Sequence, residues 1–390
     1  MLFFIVCCSI VLVASCLLYK ILCALNVSID ELRIVDAGIP LPDCILQAVT
    51  VHCGQWNWMP TLCRVYFVGI IETIYITVCK RILPDRVFNQ KTKTGNTAVV
   101  GDSASSFVNL PVAVIVGADS GIGVEICSEL LKNGFRVIVG SRSLKACHDA
   151  LTFVKKATES DKLHILKVDF TSFQSVRNFA DKVKLYLQDK RIRLLINNAG
   201  VMNTPFSTTI DGYESQCQIN YLAPFLLTKL LLPSMDTMEG RILFASSSTI
   251  YAINNLDTNM PIRKYGLNGL DHYAYSKACI AQLAKHMSRT TPIKVFVYHP
   301  GTVRTKLFQH TTIFTLPLLS KIFDFIMLSP KEGAETPLYL CLTRDNVESG
   351  AYWANKHNYH IPSVTINNLW DRTDLLWEDT MLKCGLTRHE

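Results

Sequence analysis

Pro111-Val112-Ala113-Val114-Ile115-Val116 runs directly into Gly117-Ala118-Asp119-Ser120-Gly121-Ile122-Gly123, and this junction decides the fold. The first six residues form a nearly unbroken apolar, β-prone run, the pattern of a parallel strand buried on both faces. After the glycines, Val124, Ile126, Cys127, Leu130 and Leu131 recur at helical spacing, Asn133-Gly134 ends the helix, and Phe135 to Val139 reads as the next strand. The unit is therefore strand, glycine turn, helix, strand. Glycines without a Cβ permit a tight turn and close approach of phosphates to the backbone, while the helix N-terminus favours negative charge. Placed between a strand and a helix, such a triplet is far stronger evidence for a nucleotide site than glycines alone.

Three residues, not one, separate the first two glycines. In this the stretch resembles the T-G-x-x-x-G-I-G fingerprint of the short-chain dehydrogenases/reductases, with Val116 where that family usually has threonine. The resemblance implies cofactor contacts at Gly117, Ser120, Gly121, Ile122 and Gly123. The second strand is followed by Gly140-Ser141-Arg142-Ser143, with no acidic residue to hold ribose hydroxyls. An arginine there can pair with a 2′-phosphate, so Arg142 favours NADP(H), with NAD(H) as the second choice. Leu163 to Val168 reads as a strand ending in Asp169-Phe170, the family position that contacts adenine. Leu194-Leu195-Ile196 leads to Asn197-Asn198-Ala199-Gly200, which looks like the family's N-N-A-G element, implying backbone approach to the cofactor at Asn198, Ala199 and Gly200.

A strand over Arg241 to Ala245 precedes Ser246-Ser247-Ser248, and Tyr273-Ala274-Tyr275-Ser276-Lys277 begins 26 residues after Ser247. Residues four apart on a helix share a face, so Tyr273 and Lys277 can act together, whereas Tyr275 has Cys279 in the corresponding place. A phenol with a pKa near 10 needs help to act as a base, and a neighbouring ammonium together with an oxidised nicotinamide favours the phenolate. In reduction the protonated phenol donates to the carbonyl oxygen. By resemblance, Ser247 orients that oxygen, Lys277 also binds the nicotinamide ribose, and Asn220, within Gln218-Ile219-Asn220-Tyr221, holds a water in the proton path. His299-Pro300-Gly301-Thr302-Val303-Arg304-Thr305 is similar to the family's P-G-x-x-x-T, which puts Pro300, Gly301, Val303 and Thr305 beside the nicotinamide; His299 is read as structural. The catalytic set is thus Asn220, Ser247, Tyr273 and Lys277, with Tyr273 and Lys277 also touching cofactor.

The resemblance spans about residues 111–385, and its wording is similar to the retinol dehydrogenase group and to the X-linked dehydrogenase/reductase branch. This implies a polyprenol- or dolichol-like lipid or a retinoid as substrate, ahead of a steroid. Between Thr305 and Ser329 stand many large apolar residues, among them Leu307, Phe308, Phe314 and Phe323, which suit a lid over a long lipid or contact with the bilayer. Ser329 before Pro330 reads as a helix cap.

Hydrophobic residues make up 49% of the 390-residue chain and charged residues 18%, a balance shifted toward membrane contact. Met1 to Tyr19 carries no charge and as a helix would reach about 28 Å, so residues 1–25 are expected to be a membrane span acting as a signal anchor. Residues 26–64 follow as a loop with a sequon at Asn26. Residues 65–81 are a second membrane or interfacial segment, interrupted by Glu72, flanked by Trp56, Trp58 and Tyr66 and closed by Lys80-Arg81; a buried helix carries comparable weight at this length. Residues 82–110 read as a linker. The expected setting is the endoplasmic reticulum membrane with the catalytic domain in the cytosol. Of 14 cysteines, eight fall before residue 80 and the rest are scattered, so neither metal-ligand spacing nor a redox pair is present. The net charge of +7 comes without a nucleic-acid motif, so membrane lipid is the expected partner, with a homo-oligomer left open.

The expectation is a doubly wound parallel α/β sheet, Rossmann-like, preceded by one or two membrane helices, and transferring hydride between NADP(H) and a lipophilic alcohol or carbonyl. The competing function is a membrane-bound NADP(H) sensor or scaffold without turnover. A serine hydrolase is excluded by the lack of a G-x-S-x-G elbow.

Overall fold

The structure, a computed structural model, describes residues 59–75, 110–157, 162–258, 269–311, 326–359 and 361–387. Its first element is helix α1 (Thr61–Tyr75). The doubly wound domain then opens with β1 (Val112–Val116), α2 (Ile122–Lys132), β2 (Arg136–Ser141), α3 (Leu144–Ala157), β3 (Leu163–Lys167), α4 (Phe173–Leu187) and β4 (Ile192–Asn197). It continues with α5, whose α-helical part is Ala223–Leu231, then β5 (Arg241–Ala245), β6 (Asn255–Leu256), α6 (Gly269–Thr290), β7 (Lys294–His299) and α7 (Pro330–Leu342). The short strands β8 (Tyr352–Ala354), β9 (His357–Tyr359), β10 (Thr365–Ile366) and β11 (Leu369–Trp370) precede α8 (Thr373–Lys383).

The main sheet has the order β3-β2-β1-β4-β5-β7-β8-β9. Every pairing is parallel except β8 with β9, which closes the edge. The chain moves outward from β1 to β3 and then returns to pair β4 on the other side of β1, with Val116 opposite both Gly140 and Asn197. Open α/β sheets bind ligands at such a reversal, beyond the carboxyl ends of the strands. All five β1 residues are buried. Alternation along the strand sends Val112, Val114 and Val116 into the core shared with α4, α5 and α6, and Ala113 and Ile115 into the core shared with α2, α3 and α7.

The expected sheet and the strand–turn–helix unit are present, with boundaries moved by one or two residues. β2 extends through Gly140 and Ser141, because Gly140 stays in ladder register with Leu166 of β3. Helix α2 ends at Asn133, and Gly134 takes the left-handed conformation (φ 81°) that reverses the chain. Ser329 caps α7 in a reciprocal capping box with Glu332.

The expected span at 1–25 and linker at 82–110 lie outside the described residues, apart from Leu110; of the 26–64 loop, Thr61 to Arg64 begin α1. Among the described residues no helix is long and apolar enough to cross a membrane. The described part of the 65–81 segment packs against the catalytic domain: Val65 and Val68 are buried and Val65 joins the main core.

Candidate active site

The glycine turn is shaped by backbone packing. A Cβ on Gly123 would lie 2.0 Å from the Gly117 carbonyl oxygen, and one on Gly117 would lie 2.6 Å from the Ala199 backbone. Gly117 itself has φ 91°, which disfavours any side chain. Gly121 begins α2 with no side-chain cap, so the helix N-terminus is left for a ligand's negative charge. Asn198 locks the neighbouring loop: its Nδ2 donates to Gly117 O at 2.7 Å, its Oδ1 accepts from Tyr298 OH at 2.8 Å, and Ala199 N donates to Val116 O at 2.8 Å. Asn197 is spent on bracing, donating to Thr228 Oγ1 at 3.1 Å.

Gly117, Ser120, Ile122, Asp169, Phe170, Asn198, Ala199 and Gly200 come together on one cavity of about 660 Å³ that also reaches Pro300, Gly301, Val303 and Thr305. Gly121 and Gly123 are not among the lining residues; a Cβ on Gly121 would lie 2.8 Å from Cγ2 of Thr305, which is. Asp169 holds its own loop, its Oδ1 accepting from Thr171 N at 2.9 Å and Thr171 Oγ1 at 2.8 Å. Arg142 stands exposed at the cavity rim. Glycine backbone approach, an uncapped helix terminus and a rim cation form a donor set that fits a dinucleotide diphosphate.

At the other end of the cavity, α6 presents Tyr273 and Lys277, each 4% exposed, beside Ser247 from the turn after β5. Burial pushes the Tyr273 phenol up to about 12; a hydrogen bond with Ser247 acts against this and the Glu72 carboxylate adds to it. Burial lowers the Lys277 ammonium to about 7. Its Nζ donates to Ala245 O at 2.8 Å and lies 5.8 Å from the Tyr273 ring centroid. From the protein's groups alone the phenol therefore stays protonated, the form expected for reduction; the phenolate expected for oxidation also calls on the positive charge of an oxidised nicotinamide. Asn220 does not line the cavity. It sits behind it in a π-helical turn (Gln218–Leu222), accepting from Val201 N and donating to Val201 O, both at 2.9 Å, and donating to Ser276 Oγ at 3.1 Å. π-turns of this kind recur where a side chain must be held out of register.

Sequence reasoning missed one group at this corner. Glu72 of α1 is buried, accepts a hydrogen bond from Ser248 Oγ and meets His299 Nε2 at the end of β7. The available signal was the lone carboxylate that interrupts the apolar run 65–79. His299 also stacks on Tyr352, with ring centroids 6.2 Å apart. Of the expected lid, Leu307 and Phe308 line the cavity, and residues 312–325 lie outside the described part.

Comparison with known proteins decides the family. The short chain dehydrogenase family model matches residues 111–313. The chain belongs to the short-chain dehydrogenases. As a member of that family it is an oxidoreductase built to bind a nicotinamide cofactor. It is 32% identical to human retinol dehydrogenase 13 over 268 residues, covering 65% of this chain and 80% of the relative. It is likewise 32% identical to bovine retinol dehydrogenase 12 over 280 residues, covering 68% and 84%. Among solved structures, a short-chain type dehydrogenase/reductase from Mycobacterium marinum superposes with a TM-score of 0.50 at 22% identity, over 66% of this chain and 94% of that one, a likeness of fold.

Proposed function

We propose that this short-chain dehydrogenase transfers hydride between NADP(H) and a lipophilic alcohol or carbonyl, a retinoid or polyprenol-like lipid ahead of a steroid. The observation that carries the reading is the buried Tyr273–Ser247 pair opening into a cavity that Leu270, Leu307, Phe308 and Ile326 also line. Apolar walls with one polar corner select a long hydrocarbon bearing a single oxygen.

The bound nicotinamide supplies the hydride in reduction and accepts it in oxidation. In reduction Tyr273, held protonated by burial, donates its phenolic proton to the substrate oxygen as negative charge develops there. Ser247, whose Oγ also accepts from Thr249 N at 3.3 Å, keeps that oxygen facing Tyr273. Lys277 and Asn220 flank Gly200: a Cβ there would lie 3.3 Å from Lys277 Nζ and 3.2 Å from Asn220 Oδ1. A side chain at residue 200 would press on both, so glycine keeps this edge of the floor free, and Lys277 is the cation that would meet the nicotinamide ribose there. Arg142, in the loop after β2, has no competing ion pair among the described residues and would hold the 2′-phosphate.

A substrate panel tests this reading. Full-length protein in membranes, given NADPH or NADH with all-trans-retinal, a polyprenal or a steroid ketone, is expected to reduce retinal or polyprenal at least tenfold faster with NADPH. Equal rates with both cofactors would remove the role of Arg142, and turnover of the steroid alone would remove the long-chain substrate.

A further inference from the structure

Helix α1 lies upstream of residue 111, where the family match begins, yet Val65, Gly69, Ile70 and Glu72 line the same cavity as Ser247 and Tyr273. We propose that α1 is a built-in wall of the substrate pocket, sized by Gly69 and clamped by Glu72, which serves as a positioning residue for the Ser247–Tyr273 corner. The substrate side of this inference rests on the hydride-transfer reading; the clamp rests on packing alone.

Three observations converge. Glu72 is 5% exposed, and a carboxylate that far from water persists only when its oxygens are used. One oxygen is used by Ser248, the neighbour of Ser247, and the other by His299, the neighbour of Pro300 and Gly301. A single side chain thus ties α1 to both loops that frame the reacting corner. One helical turn earlier, Gly69 borders the cavity, and a Cβ there would meet no heavy atom within 4 Å. Glycine is a poor helix former, so its place mid-helix against open space matches a wall kept thin for an occupant. At the other end of α1, Val65 and Val68 are buried and Val65 joins the main core, which seats the helix beyond the Glu72 clamp.

The test compares full-length wild type with Glu72→Ala, Glu72→Gln and Gly69→Leu. Hydrogen exchange reads docking directly: amides of residues 61–75 should exchange at least tenfold faster in Glu72→Ala. Glu72→Gln should restore most of the protection, because its amide can still accept from Ser248 and meet the His299 ring. Leucine favours the helix over glycine, so Gly69→Leu should keep α1 protected while lowering the retinal-to-benzaldehyde ratio of kcat/KM at least tenfold, mainly through the retinal KM. If wild type reduces neither aldehyde, those substrates fail, and retinal binding followed by its absorbance replaces turnover as the pocket readout. Exchange of α1 that is unaffected by Glu72→Ala overturns the clamp; a selectivity or retinal affinity unchanged by Gly69→Leu overturns the wall.

Discussion

The two ends of the cavity are built by opposite means. The cofactor end is made from consecutive turns between β1 and β4, and its contacts are largely backbone: Gly117 against Ala199, Gly123 against Gly117, Asn198 on Gly117 O. The reacting end is made of side chains from distant parts of the chain, and its longest link, Glu72 to His299, joins residues 227 apart. Backbone contacts demand glycine at fixed spacing, which is visible as a motif. Side-chain contacts between distant elements leave only scattered residues until the fold brings them together.

Substitutions can sharpen this contrast. The largest effect is expected from Tyr273→Phe, which removes the proton donor while leaving the ring in place. Turnover should fall by about 10²–10⁴-fold with cofactor affinity nearly unchanged, as measured by steady-state kinetics and NADPH titration. A comparable loss of NADPH binding would put Tyr273 at the cofactor end instead. Next comes Gly123→Ala, whose Cβ would press on the Gly117 carbonyl at 2.0 Å. Overpacking of this kind costs roughly 1–3 kcal/mol, and the displaced turn should also weaken NADPH binding. Denaturant unfolding and a binding titration would report both; an unperturbed variant would mean that the turn is not packing-limited.

Arg142→Ala should raise the KM for NADPH about tenfold, close to 1.4 kcal/mol, with little change for NADH. A last prediction concerns stability alone, through Lys277. With its pKa lowered from 10.5 to about 7 in the fold, the unfolded chain binds the extra proton between those values. Cofactor-free protein should therefore gain stability as pH rises from 7 toward 10 and lose it as pH falls toward 7. Lys277→Met should flatten that slope by up to about 1.4 kcal/mol per pH unit, read from thermal melts of wild type and variant side by side. Identical slopes would show that Lys277 keeps its proton.

The doubly wound sheet was legible because β1 is uniformly apolar and the glycine turn leads straight into an amphipathic helix. The meeting of Tyr273 and Lys277 was legible through their spacing, since the pair needs only one helical turn to meet, whereas Ser247 came from the resemblance to the family motif. The direction of the Tyr273 shift was not legible, because desolvation depends on how fully α6 is covered. The role of α1 stayed ambiguous for a related reason: an apolar run of fifteen residues satisfies a lipid interface and a protein core alike, and only the fold brings Glu72 to Ser248 and His299. The π-turn at Asn220 left no trace in apolar periodicity, since one extra residue in a turn alters it too little to see.

The most direct test of the central claim follows deuterium from the transferring position of NADPH into all-trans-retinal and a polyprenal, using membranes that carry wild type or Tyr273→Phe. The account predicts one labelled alcohol from wild type and nearly none from the variant. Equal labelling by both proteins, or none by a wild type that still binds NADPH, would contradict it.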